Sequence, residues 1–221
     1  MSDRGFWIDN NVLSDAECDA LIASLVSGAH DRGRAGARHL MSNSVVRALA
    51  SDMRLITRAS EVLGGQAVPY RATLFEKSGR ANWLVVWHQD TALPLVSHIG
   101  GEEWGPWSIK AGVRYAHAPS WALERIVALR VHLDASSQEN GPLRVIPSTH
   151  RLGVLSDDEV FAVSRRSDAI DCIVGHGGIV AMRPLLIHSS SKARGSDPRR
   201  VLHIEYADTL DLAEDVRFAV T

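Results

Sequence analysis

Cysteine is nearly absent from these 221 residues, only Cys18 and Cys172 being present. Two thiols make no disulfide framework, so they read as small buried hydrophobes in a reducing cytosol. A surplus of one charge sign is also missing: 24 Lys and Arg stand against 26 Asp and Glu, a net of −2. That balance leaves no basic footprint for nucleic acid or for an anionic membrane surface. No stretch approaches the ~20 apolar residues that cross a bilayer. Met1-Ser2-Asp3-Arg4-Gly5 lacks the apolar core of a secretory signal. Internal repeats and low-complexity tracts are lacking too. The expectation is a cytoplasmic protein with neither nucleic-acid nor membrane partners.

What is present is an ordinary globular composition, 45% hydrophobic and 23% charged, in a chain long enough to bury one sizeable core. Ser14 and Glu17 form a capping box, and Cys18, Leu21, Ile22, Leu25 and Val26 recur at helical spacing behind it. A second helical region is expected over 44–63, ended by Gly64-Gly65. From Pro69 the pattern changes to short strands, expected at 71–77, 83–88, 126–133, 143–146, 170–174, 179–182 and 201–206. Hairpin turns are expected at 175–178 and at 136–142. The chain therefore reads as one domain over 1–221, mainly β with flanking α-helices. Its helices lie at about 14–64, and its sandwich or jelly-roll core at about 68–206. Residues 91–122, rich in Gly, Pro and Trp, fit neither element and are expected to fold over the site as a lid.

The chemistry concentrates in His88-Gln89-Asp90 and the distant His188. Residues i and i+2 project from one face of a strand, and Trp83-Leu84-Val85-Val86-Trp87 before them is β-branched and aromatic. Two imidazoles and one carboxylate can occupy one face of an octahedral iron and leave the other positions open. Alone, an H-x-D is weak evidence. Arg199, eleven positions after His188, strengthens it, because a guanidinium fork suits the far carboxylate of a 2-oxo acid that chelates the metal. The charges of ferrous iron, Asp90, a dianionic co-substrate and Arg199 then nearly cancel. Arg71, Thr73 and Lys77 share one strand face at period two, ahead of His88, and are candidates to line the pocket. Asn82, Trp83 and Thr91 are candidates to flank its mouth. The remaining histidines read as structural or surface residues.

Taken together, Trp87-His88-Gln89-Asp90, Asn140-Gly141-Pro142-Leu143-Arg144-Val145-Ile146-Pro147-Ser148-Thr149-His150 and the stretch from His188 to Arg200 resemble the phytanoyl-CoA dioxygenase family of Fe(II)/2-oxoglutarate-dependent oxygenases. The likeness runs from about Ala35 to Tyr206. Ser148 and Thr149 stand where the family's central motif has Gly and Ser. The resemblance implies a double-stranded β-helix core and Fe(II) held by His88, Asp90 and His188. It also implies 2-oxoglutarate anchored by Arg199 with Ser190, and O2 as oxidant. Halogenases of the family replace the carboxylate ligand by a small residue; with Asp90 present, hydroxylation or a related oxidation of a small organic molecule is the expected activity. Two other readings compete. A zinc hydrolase using the same three ligands leaves Arg199 without a role, and a non-catalytic jelly-roll binding protein leaves the complete ligand set unexplained.

Overall fold

The computed structural model describes residues 4–27, 32–33, 36–78 and 81–221. Met1, Ser2 and Asp3, read above for a secretory signal, and Ala35, where the resemblance begins, lie outside the described residues. In chain order the elements are β1 (Phe6–Asp9), α1 (Asp15–Ser27), β2 (Arg32–Gly33), β3 (Gly36–Ala37), α2 (Ser44–Ala50), α3 (Met53–Leu63), β4 (Val68–Lys77), β5 (Val85–His88) and β6 (Ala92–Leu95). There follow β7 (Trp107–Lys110), β8 (Val113–His117), α4 (Ser120–Leu123), β9 (Ile126–His132), β10 (Leu143–Val145), α5 (Asp157–Ser164), β11 (Ile170–Cys172), β12 (Ile179–Met182), β13 (His188–Ser190), β14 (Arg199–Ala207), β15 (Asp211–Ala213) and β16 (Val216–Arg217).

Helix α1 starts as its capping box predicts: the Ser14 amide donates to Glu17 Oε2 at 2.8 Å, and the Glu17 amide to Ser14 Oγ at 3.4 Å. The helical region expected over 44–63 consists of two helices. Asp52 interrupts it by accepting from the Arg54 amide at 2.8 Å, which caps α3 and favours a fresh helix start over continuation. Gly64 ends α3 at φ 73°, as expected.

Two sheets face each other. The larger runs in the order β1-β12-β9-β14-β4-β3-β2 and the smaller in the order β11-β10-β13-β5. The outer face of the large sheet buries Ala72, Leu74, Leu129, Val131, Leu202 and Ile204 in one apolar core with Leu21 and Leu25 of α1, Val46 and Leu49 of α2 and Leu55 of α3. Its inner face turns toward the small sheet. Strand β1 joins the large sheet although the expected β core began near residue 68.

Three expectations need correction. Residues 91–122 are not irregular: β6, β8 and β7 make a three-stranded antiparallel sheet whose Leu93, Leu95 and Ala116 pack with Trp104, Tyr70 and Phe218. Tyr70 and Phe218 are remote in sequence, so no local period announces the strands. The stretches at 136–142 and 175–178 are not hairpins either. Each carries the chain from one sheet to the other, from β9 to β10 and from β11 to β12. Helix α5 was not foreseen, although Ser156 and Glu159 form a complete capping box at its start.

Ser148 has φ 68° and ψ −2°, the left-handed conformation that favours glycine. The departure from the family motif therefore falls where a side chain costs backbone energy. Gly141 has φ 69°, and a Cβ there would lie 2.4 Å from the Ser191 carbonyl oxygen, so the motif's glycine lets two loops meet beside β13. No helix among the described residues is long and apolar enough to cross a membrane.

Candidate metal centre

Strands β13 and β5 are antiparallel neighbours in the small sheet, with His188 and His88 as direct cross-strand partners. Two ligands 100 positions apart in sequence therefore share one rung of a ladder. Asp90 lies just past the end of β5, its amide donating to the Pro184 carbonyl at 2.9 Å. Gln89 points away from both ligands and acts as a clamp. Its Nε2 donates to Gly153 O at 2.9 Å and Leu185 O at 2.8 Å, while its Oε1 accepts from the Leu155 amide at 2.9 Å.

The ligand atoms of His88, Asp90 and His188 lie within 4.8 Å of one another. His88 Nε2 is 3.7 Å from Asp90 Oδ1, and His188 Nε2 is 3.4 Å from Asp90 Oδ2. Both imidazoles are oriented alike: Nδ1 of His88 donates to Val86 O and Nδ1 of His188 to Leu186 O, each at 2.8 Å. A carbonyl only accepts, so these bonds put the ring proton on Nδ1 and leave each Nε2 lone pair facing the cluster. Burial and the neighbouring His88 push the His188 imidazolium down to about 4, so this ring is neutral at physiological pH. Enclosure pushes the Asp90 carboxyl up, but His188 and then His88 outweigh it and hold the group well below the usual carboxylate range. Two imidazoles with fixed tautomers and one ionised carboxylate in one cluster form a donor set that fits ferrous iron.

Arg199 opens β14 opposite Lys77 of β4, on the inner face. It is 2% exposed, its Nε donates to Asn140 O at 3.3 Å, and its Nη2 donates to Ser190 Oγ at 3.2 Å. Its Nη1 is buried and has no partner, and no carboxylate pairs with it among the described residues. Burial, then the charge of Arg130, pulls the Arg199 guanidinium down to about 9. Lys77 is 1% exposed and donates to Ser190 Oγ at 2.7 Å and also to Ser191 O; burial, Arg199 and Arg130 lower it to about 7. Ser190 Oγ thus accepts from both cations and donates to Gly141 O at 2.9 Å. Arg200 is spoken for elsewhere, gripping Asp134 with two bonds of 2.7 Å.

The other candidates scatter by role. Thr73 is buried on the inner face, opposite His203. Arg71 pairs with the buried Glu205 at 3.1 Å and lies 5.2 Å from the centre of the Tyr115 ring. Trp83 packs under the Lys77 ammonium, 5.6 Å from its ring centre. Asn82 uses both ends of its amide on Ala193, at 2.8 and 2.7 Å, which pins the loop before β14. Thr91 Oγ1 lies 2.7 Å from His117 Nδ1, tying the end of the ligand segment to β8. Sequence reasoning passed over Arg130, His132 and His203, all buried on the inner face. A signal was there: Arg130 and His132 interrupt the apolar run of β9 at period two, and a strand buried on both faces rarely carries charge.

The model of the phytanoyl-CoA dioxygenase (PhyH) family matches residues 1–201 of this chain. An L-proline trans-4-hydroxylase from Streptomyces griseoviridis is 25% identical over 178 residues, 69% of this chain and 59% of that protein. The match thus spans less than two thirds of the relative's length. Among solved structures, EctD from S. alaskensis superposes with a TM-score of 0.69 at 18% identity, covering 98% of this chain and 81% of that one. HygX from Streptomyces hygroscopicus, with nickel and 2-oxoglutarate bound, gives a TM-score of 0.68 at 17% identity and covers 98% and 91%. At such identities the two structures establish a shared fold.

Proposed function

The chain belongs to the phytanoyl-CoA dioxygenase family, and from that premise we propose that it is an Fe(II)/2-oxoglutarate-dependent oxygenase hydroxylating an unactivated C–H of a small organic molecule. The observation that carries the reading is the pairing of two features joined through β13, which holds both His188 and the Ser190 that Arg199 bonds. One is a His–Asp–His cluster with both Nε2 atoms turned inward; the other is a buried guanidinium with an unpartnered N–H. Bound together, ferrous iron, 2-oxoglutarate and O2 supply the oxidation, with 2-oxoglutarate leaving as succinate and CO2. His88, Asp90 and His188 would hold the metal. Arg199 would take the far carboxylate of 2-oxoglutarate, held at the right height by Ser190 and Asn140, with Lys77 adding charge beside it. Thr73 lines the same wall. Arg71 and Thr91 would stand on the substrate side, Asn82 and Trp83 would flank the mouth at the Lys77 end, and residues 91–122 would close over the site and exclude water.

Small substrates agree with the relatives: one is named for L-proline, and EctD has been solved with 2-oxoglutarate and 5-hydroxyectoine. We place the enzyme in the cytoplasm on its cysteine usage. The test is anaerobic addition of Fe(II) and then 2-oxoglutarate to the purified protein. A weak visible charge-transfer band, followed by succinate on admitting O2, is the expected result. A protein that retains zinc and shows no band would make it a metallohydrolase. A band with no succinate across a broad metabolite set would leave a binding protein.

A further inference from the structure

We infer that Arg130 is a second cationic anchor for the co-substrate, serving the keto-acid end that meets the metal while Arg199 serves the far carboxylate. The inference rests on the oxygenase reading above. Arg130 lies in the middle of β9 and is 7% exposed. Its Nη1 is 3.1 Å from Nδ1 of His203, and its Nε is buried with no partner. No carboxylate pairs with it among the described residues. The Phe75 ring, 5.4 Å from the guanidinium carbon, offers a cation–π contact that offsets only part of the charge. Asp90 offsets part of the burial, but nothing bonds the free Nε, so this guanidinium calls for a further anion that arrives from outside.

The sheet register says where that anion lies. On the inner face Arg130, His203 and Thr73 form one row across β9, β14 and β4, and Arg199 with Lys77 forms another. Four residues along β14 separate the rows, roughly 13 Å of strand. Between them comes the row of His132, Val201 and Phe75, and both ring nitrogens of His132 are buried without a partner. Unpartnered polar nitrogens thus run along one wall from the Arg199 end to the Arg130 end. The charge of Arg130 bears on Asp90, His88 and His188 on one side and on Arg199 on the other. A diacid stretched between metal and Arg199 passes alongside it.

The test compares two ligands on anaerobic Fe(II)-loaded protein by calorimetry: 2-oxoglutarate and 2-oxopentanoate, which lacks the far carboxylate. Arg130→Gln is expected to weaken both by a common factor, roughly ten- to a hundredfold, as for a lost charged hydrogen bond. Arg199→Gln is expected to weaken 2-oxoglutarate alone and so abolish the preference between the two. Unchanged affinity for both ligands in Arg130→Gln overturns the proposal, as does a loss confined to 2-oxoglutarate. Should Arg130→Gln not fold, the same titrations on Arg130→Lys decide: a shared loss supports the anchor, and unchanged affinities overturn it. A wild-type protein that takes up Fe(II) but binds neither keto acid would instead bring down the oxygenase reading itself.

Discussion

Strands β4, β9 and β14 carry two faces built to opposite rules. Outward, Ala72, Leu74, Leu129, Val131, Leu202 and Ile204 are fully or almost fully buried and apolar, and they seat the helical layer. Inward, the intervening positions hold Arg71, Thr73, Lys77, Arg130, His132, Arg199, His203 and Glu205 beside the apolar Phe75 and Val201, and all of these polar residues but Arg71 are buried. Alternate residues of the same strands thus meet the same dryness with opposite chemistry. The outer face is stable by itself. The inner one carries several donors without acceptors, a state that costs free energy unless a ligand completes it. The fold's stability and its chemistry are therefore separable by parity along the strand.

Substitutions can sharpen or break that separation. The largest effect is expected from Asp90→Ala, which removes one of three ligands: succinate formation and stoichiometric Fe(II) uptake should both vanish while thermal unfolding stays cooperative. Arg199→Ala should raise the apparent KM for 2-oxoglutarate roughly thirtyfold or more, matching the ~2–5 kcal/mol for truncating a buried charge partner. An unchanged co-substrate dependence would move the anchor to another cation. On the other face, Ile204→Ala should lower unfolding free energy in denaturant by about 2–5 kcal/mol and leave the 2-oxoglutarate affinity of the folded protein intact. If it damaged affinity as much as Arg199→Ala does, the two faces would not be separable.

Lys77 supplies a pH test. In the folded protein its ammonium is pulled down to about 7 from an ordinary 10.5. Between those values the unfolded chain holds more protons, so without a bound anion stability rises with pH from about 7 toward 10.5, and the penalty is in full force below 7. Lys77→Met should flatten that rise in denaturant unfolding followed across the window; an identical slope in both proteins would show that the ammonium is not under strain. The smallest effect belongs to neither face. Ser148→Gly relieves a left-handed side chain and should add about 1 kcal/mol of stability with no change in Fe(II) or 2-oxoglutarate binding.

The legible parts share a cause. Ser14, Glu17 and Gly64 act within their own helices, and the strands at 71–77, 126–133 and 179–182 show their period or apolar run locally, so short windows located them. The metal ligands were legible because H-x-D is a strand-parity signal and because iron with a keto-diacid demands a short menu of residue types. The break at Asp52, the sheet of β6 to β8 and the crossings after β9 and β11 were not, because each answers to partners far along the chain. Arg130, His132 and His203 were missed for a related reason. A polar residue in a strand reads as solvated until the opposing sheet is known to cover it.

By itself, then, the amino-acid order determined which groups were on hand: two imidazoles, a carboxylate and a guanidinium, set at strand spacing in a mostly β chain. Only the closed tertiary arrangement decided that His88 and His188 share a rung, that Gln89 turns away, and that a second arginine with a free Nε lies on the facing sheet. Local periodicity sets which side of a strand a residue takes; what lies on that side is decided by hydrogen-bonded pairing between segments distant in the chain.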